Sequence, residues 1–230
     1  GAYHFETLIN ESDPQRKERA GILLLLKGVM KKYTGLSLED YLEKLASDAP
    51  VPGGGSVSAY TGALGMALTQ MVARVALKRK PKADLAPEQK FQDEANRKRM
   101  QEIVDSLEKT RADALQVVSL DPKVYDEVMV CYKEGARPEK LEDALQNAFR
   151  LQADLALILV MAKEWNEHMK TLVKGAVAND LIVSDGLLTA AFEGAFHTAH
   201  INVVYMKNKE RKEHAEKALM ELRGRFTKGS

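Results

Sequence analysis

The segment Pro50-Val51-Pro52-Gly53-Gly54-Gly55-Ser56 sets three residues without side chains between a stiff, proline-bounded entry and a run with helical apolar spacing. Glycine removes the Cβ atoms that block close approach and permits positive φ. The first amides of a helix lack an intrahelical acceptor, so the loop predicts a place where a carboxylate, a carbonyl oxygen or a developing negative charge meets the backbone. Gly53, Gly54, Gly55 and Ser56 are therefore candidate binding residues. No strand precedes them and no Lys-Ser or Lys-Thr follows, which excludes the phosphate loop of NTPases. A plainer reading is a tight turn with a close helix crossing. Ser58, Gly62, Gly65 and Thr69 support it, because their spacing leaves one helix face nearly bare for another backbone.

Two carboxylates are candidates for proton transfer. Asp180 precedes Thr198 by about five helical turns and Asn202 by about six, so the three share a face with Ser184, Leu187, Ala191 and Ala195. On a straight helix Asp180 and Asn202 are about 33 Å apart. They meet in one site only if the helix breaks at Gly186 or Gly194, or if an antiparallel dimer brings Asp180 of one chain to Asn202 of the other; the interface site is the preferred expectation. Otherwise Asp180 is an N-cap or a surface acid, and Asn202 an interhelical hydrogen-bonder. Asp121 is the second acidic candidate, although its place directly before Pro122 suits an N-cap with proline at the first helical position.

Lys78, Arg79, Lys80 and Lys82 form a concentrated basic stretch at the far end of the helix that follows the glycines. They either bind carboxylates by charge-assisted hydrogen bonds or answer the helix dipole and solvent. His197 and His200, three apart, could assist proton transfer or pair on a metal, but no HExxH, cysteine pair or carboxylate cluster accompanies them, and no metal site is expected. Met66, Met71 and Met161 read as core filling, and Trp165 and Tyr60 as packing residues able to stack on a flat ring.

With 230 residues and 45% hydrophobic content, the chain can bury one substantial core. Its 34 Lys and Arg against 33 Asp and Glu give no basic field to gather nucleic acid or coat a membrane. The lone Cys131 excludes an internal disulfide framework and fits a reducing compartment, so a cytoplasmic location is expected. The apolar run Ile22 to Leu26, between Arg19 and Lys27, is too short to span a bilayer and has no cleavage signal. Because residue 1 is Gly rather than Met, an upstream domain stays open.

Apolar spacings of three and four throughout predict an all-α fold of about eight helices, with long antiparallel members. A first helix over 16–33, closed by Gly35, makes residues 1–34 an N-terminal extension to a main domain over 35–230. Ser37 caps a short helix that ends near Ser47. Further helices are expected over 56–77, 86–119, 122–133, 138–173 and 177–207, with a charged one ending at Arg223.

Ser37-Leu38-Glu39-Asp40-Tyr41, Leu45-Ala46-Ser47 and Pro52-Gly53-Gly54-Gly55-Ser56-Val57-Ser58-Ala59 together resemble the opening of the cyclodeaminase domain of formiminotransferase-cyclodeaminases and of stand-alone methenyltetrahydrofolate cyclohydrolases. The resemblance continues through Asp121 with Tyr125 and Val128-Met129, Ala144-Leu145-Gln146, Asn179-Asp180-Leu181, Gly194-Ala195-Phe196 and Ile201-Asn202, from about Gly35 to the C-terminus. It implies an all-helical homodimer acting on a tetrahydrofolate one-carbon derivative without metal or redox cofactor, with a formiminotransferase as upstream or partner activity. Asp180, and with less weight Asp121, would be catalytic. The glycine loop, Thr198 and Asn202 would hold substrate, and Lys78 and Lys80 its glutamate tail. The implied reaction is cyclodeamination of 5-formimidoyltetrahydrofolate, with methenyltetrahydrofolate cyclohydrolysis as the alternative. The chain departs from the family pattern at Asn179, where Ser is usual, at Thr198, where Asn is usual, and at Ala156, where Pro is usual. A catalytically inactive folate-binding or scaffolding dimer is the further alternative, in which the changes at Asn179 and Thr198 record lost catalysis.

Overall fold

The computed structural model describes residues 33–80 and 86–228, and every regular element among them is helical. The helices are α1 (Leu38–Leu45), α2 (Gly54–Lys78), α3 (Pro87–Lys133), α4 (Pro138–Leu172), α5 (Asn179–Tyr205) and α6 (Lys209–Lys228), with a 3-10 turn over Ala176–Ala178. The expected first helix lies outside the described residues. None of the described helices is long and apolar enough to cross a membrane.

Helices α2 to α5 run up and down as a four-helix bundle. Gln70 of α2 reaches the Val104 carbonyl of α3, Gln152 of α4 reaches Asp121 of α3, Asn166 of α4 reaches the Leu181 carbonyl of α5, and Thr69 of α2 meets Ser184 of α5. Each links neighbours round the ring. Phe192, Met66, Ile103, Leu107, Leu155, Leu159, Leu181 and Leu188 fill the centre. At 47 residues α3 is roughly 70 Å long. It outlasts α2, and its last turns form a second apolar cluster with α4, α5 and α6 around Val128, Phe149, Val203 and Leu219. The C-terminal helix docks through Phe226, stacked on Phe192 at 3.8 Å, and through Arg223 over the Phe196 ring.

The bare face of α2 meets the small-residue face of α5 within the protomer. A Cβ on Gly62 would lie 3.5 Å from Ala191, one on Gly65 would lie 3.2 Å from the Ser184 carbonyl, and one on Gly194 would strike Ser58. Ser184, Ala191 and Ala195 are all buried there. Without side chains to hold them apart, the two helices approach until side-chain hydroxyls of one bond the backbone of the other, as Ser184 Oγ does to the Gly65 carbonyl at 2.7 Å.

The sequence expectation of separate helices over 86–119 and 122–133 is overturned. Helix α3 passes unbroken through Pro122. A proline inside a helix costs about 3 kcal/mol, largely because the carbonyl four residues back loses its donor. Here that carbonyl belongs to Val118, and Ser56 Oγ supplies the missing bond at 2.9 Å. The glycine-loop helix thereby repairs the defect in α3.

Candidate functional site

Ser37 caps α1 as its spacing predicts, accepting the Asp40 amide at 3.0 Å, and the helix buries Tyr41. The Tyr41 hydroxyl meets Ser56 Oγ at 3.0 Å. Between them the chain passes a cis Val51–Pro52 peptide, and α2 begins at Gly54, with Gly53 as its N-cap. The glycines therefore form the first turn of the helix rather than a loop before it.

None of Gly53, Gly54 and Gly55 has positive φ; among the described residues the positive-φ glycines are Gly135 and Gly175, in the turns after α3 and α4. What this turn requires is the missing Cβ. At Gly55 a methyl group would fall inside the contact distance of Asp121 Oδ1 and Gln152 Nε2. Gly54 is exposed, and a Cβ there would lie 3.6 Å from Thr198 Oγ1.

Asp121 is not the cap of its own helix, because α3 continues through it. Its carboxylate instead caps α2 from across the bundle: Oδ2 accepts the Ser56 amide at 3.0 Å and Oδ1 accepts Gln152 Nε2 at 2.7 Å. A negative charge at a helix N-terminus suits the helix dipole. Burial nevertheless raises the Asp121 pKa, and the hydrogen bonds from the Ser56 amide and Gln152 offset only part of that rise. Gln152, itself buried, turns its amide nitrogen to Asp121 and leaves Oε1 buried without a partner. One of the three first-turn amides of α2 is thus taken by the protein, while those of Gly54 and Gly55 have no acceptor among the described residues.

Thr198 and Asn202 stand beside this turn on α5. Thr198 Oγ1 donates to the Gly194 carbonyl at 2.8 Å, and Asn202 Nδ2 donates to the Thr198 carbonyl at 2.8 Å. Both are half-buried, and Asn202 Oδ1 is left for another donor. The structure therefore gathers Gly53 to Ser56, Thr198 and Asn202 at one end of the bundle, with Asp121 beneath them. Gln152 and Tyr41 join this cluster without a sequence signal. Gln152 lies in an unremarkable helical run, and only the cross-bundle contact reveals it.

Asp180 is elsewhere. It occupies the first turn of α5, half-exposed, and makes no hydrogen bond or ion pair among the described residues. Helix α5 runs without a break to Tyr205, so the expected interruption at Gly186 or Gly194 does not occur, and Asp180 stays about 33 Å from Asn202 along the axis. Lys78 lies at the same end as Asp180, at the last turn of α2, in a groove with Arg74 and Arg111. Lys80 is exposed just past that helix. His197 faces Glu193 at 3.7 Å and meets the Phe196 ring edge-on.

An antiparallel four-helix bundle with glycine-turn amides and polar α5 side chains at one end and an unpaired carboxylate at the other defines a class of all-helical proteins, and comparison narrows it. A family profile described as formiminotransferase-cyclodeaminase matches residues 37–221. A methenyltetrahydrofolate cyclohydrolase of Methylorubrum extorquens is 29% identical over 198 residues, covering 82% of this chain and 88% of that protein. The crystal structure of a formiminotetrahydrofolate cyclodeaminase from Thermotoga maritima superposes with a TM-score of 0.73 at 24% identity, over 84% of this chain and 91% of that one, which shows a common fold. The chain belongs to the formiminotransferase-cyclodeaminase family.

Proposed function

We propose that this protein is a folate one-carbon enzyme that converts 5-formimidoyltetrahydrofolate to 5,10-methenyltetrahydrofolate and ammonia, in a site completed by a second copy of the chain. The observation that carries the reading is Asp180: a half-exposed carboxylate, free of protein partners, on the helix face it shares with Thr198 and Asn202. In cyclodeamination N10 attacks the formimidoyl carbon on N5, the N10–H bond breaks, and the departing nitrogen leaves as ammonia. The formimidoyl nitrogen enters protonated, as an amidinium; the carboxylate of Asp180 takes the N10 proton and returns it to that nitrogen, which leaves as ammonia with its bonding electrons while the positive charge stays on the methenyl bridge, so one group acts as base and then as acid. The unpaired amide of the exposed Gly54 and Asn202 Oδ1 supply hydrogen bonds to the pterin.

A dimer reconciles this chemistry with the separation of the residues. The face of α5 that carries Asp180, Leu187 and Thr198 borders exposed apolar residues: Val183 and Ile201 at 49% on α5, and Leu64 at 50% on α2. Two copies of α5 crossing antiparallel between Thr189 and Ala191 set Asp180 beside Thr198 of the partner subunit and Asn202 of the partner subunit. Gly186 and Ala190, both exposed, let the helices come close.

Cyclohydrolysis of 5,10-methenyltetrahydrofolate is the second reading, favoured by the name of the Methylorubrum relative. There Asp180 would activate water against the cationic methenyl carbon and stabilise that cation. Mixing the protein separately with each substrate and following methenyl absorbance against a blank tests both. Growth from the formimidoyl substrate is expected. Accelerated loss from the methenyl substrate would establish the second reading, and no change in either would sink both.

A further inference from the structure

Helix α2 lies between matching stripes of α3 and α5. On α3, Val104, Arg111 and Val118 recur at intervals of seven: the Val104 carbonyl accepts Gln70 of α2, Arg111 shares a groove with Gln70 and Arg74, and the Val118 carbonyl accepts Ser56. On α5, Ser184, Ala191 and Thr198 keep the same interval and meet α2 at Gly65, Gly62 and Gly54. Seven residues are close to two helical turns, so each set lies on one face. But α2 begins at Gly54, whereas α3 runs on to Lys133 and α5 to Tyr205. The next members of the two stripes, Tyr125 and Tyr132 on α3 and Tyr205 on α5, therefore have no α2 to pack against. They are 37%, 48% and 53% exposed and make no ring contact or hydrogen bond among the described residues.

The two walls face a slot one helix wide, with the glycine turn as its base. Both α3 and α5 run antiparallel to α2, so their residues can be ranked by height above that turn. Thr198 is level with Gly54, and Asp121 with Ser56, two residues further in. At 1.5 Å per residue, Tyr125 stands about 3 Å above Gly54, Tyr205 about 10 Å and Tyr132 about 13 Å. Tyr132 and Tyr205 are thus nearly level on opposite walls, and Tyr125 lies just above the turn, beside the unpaired Gly54 amide and near Asn202 Oδ1. Above the turn neither stripe carries a charge, because Asp126 and Glu127 line the groove shared with α4 instead. Aromatic, uncharged walls with hydrogen-bonding groups at the base suit a guest of flat rings whose polar atoms sit at one end.

We propose that Tyr132 and Tyr205 form an aromatic clamp that stacks on both faces of a flat ring of the ligand, with Tyr125 against the ring seated at the glycine turn. The clamp rests on the folate reading above: the pterin lies at Gly54 and Asn202, and the p-aminobenzoyl ring, one short link further out, lies between Tyr132 and Tyr205. These tyrosines set specificity for a ligand with a second ring and take no part in proton transfer. A helix of a protein partner laid in the vacant slot is the competing occupant.

The test is calorimetric titration of the full chain with 5-formyltetrahydrofolate, which carries both rings, and with tetrahydropterin, which lacks the second. Tyr132→Leu and Tyr205→Leu should each weaken binding of the first about tenfold, whereas Tyr132→Phe and Tyr205→Phe should stay within about twofold, because the ring and not the hydroxyl stacks. Tetrahydropterin should bind the parent and both Leu variants alike. In proton NMR spectra the benzoyl protons of bound 5-formyltetrahydrofolate should move upfield with the parent and move back in Tyr205→Leu, a ring-current signature that a merely structural tyrosine does not give. No binding by the parent, equal binding by the Leu variants, or an equal loss with tetrahydropterin would overturn the clamp. So would Leu variants that bind as the parent does but change association state in light scattering, since the slot would then hold a protein partner. Clamped binding without turnover of either folate substrate leaves the clamp standing and removes the enzymatic reading; turnover that both Leu variants keep at parental KM does the reverse.

Discussion

The two acidic residues that could move protons have opposite surroundings. Asp121 is buried, grips a helix amide and a glutamine, and lies under a glycine turn closed over it. Asp180 is half-exposed and holds nothing among the described residues. A carboxylate with both oxygens engaged by the protein is suited to holding geometry. One with none engaged has its lone pairs free for substrate, at no cost in stability. Asp121 is placed to position the glycine turn, and under the proposed function Asp180 is the proton-transfer group.

The largest expected effect follows from Asp180. Asp180→Asn should lower turnover by about 10²- to 10⁴-fold, the usual contribution of a positioned acid or base, with the thermal midpoint lowered only slightly, by the loss of one negative charge from the first turn of α5, worth about 0.3–1 kcal/mol. The interface arrangement sharpens this into a complementation test. Asp180→Asn and Asn202→Ala should each be impaired alone, yet co-refolded heterodimers should regain activity in the one site that combines two intact halves. A mixture no more active than its components would show that the two residues serve no common site.

Gly55→Ala should be the largest structural effect at the other end. Its new methyl group would collide with Asp121 and Gln152, and both are held in place by the hydrogen bond they share. Overpacking of this kind costs about 1–3 kcal/mol, measured as a lower denaturant midpoint. Gly54→Ala is the matched control: its methyl would sit at an ordinary 3.6 Å from Thr198 Oγ1, so stability should hold while any substrate approaching that amide is hindered. Equal destabilisation by both substitutions would contradict the distinction between a packed glycine and an accessible one.

Much of this architecture is legible in residue spacing. The all-helical class, the Ser37 cap, the bare face of α2 and the shared face of Asp180, Thr198 and Asn202 all follow from local periodicity. Pro122 misleads because its local meaning, a helix start, is cancelled by Ser56, a residue 66 positions earlier in the chain. Gly53 to Gly55 mislead in a related way. A glycine run signals either unusual φ or close approach, and only the position of Asp121 and Gln152 shows that close approach is the reason. Gln152 has no local signature, since its role arises wholly from the packing of α4 against α3.

Asp121→Asn should give the smallest effect on turnover and a diagnostic effect on pH dependence. Burial lifts the folded-state pKa of Asp121 above its unfolded value, so the folded protein binds this proton more tightly than the unfolded chain does. Its contribution to stability is therefore complete below the unfolded value and is lost as pH rises through the raised folded value. Asparagine removes that titration. Its Oδ1 can still accept the Ser56 amide, and its amide can donate to Gln152 Oε1, which now lacks a partner, once the Gln152 amide turns over. Chemical denaturation across acid to neutral pH should show a decline in parent stability through this window that is absent in Asp121→Asn. Turnover at neutral pH should stay within about threefold, as expected for a residue that only positions the turn. A collapse of turnover in a folded Asp121→Asn protein would reverse the assignment and make the buried carboxylate, rather than Asp180, the group that moves the proton.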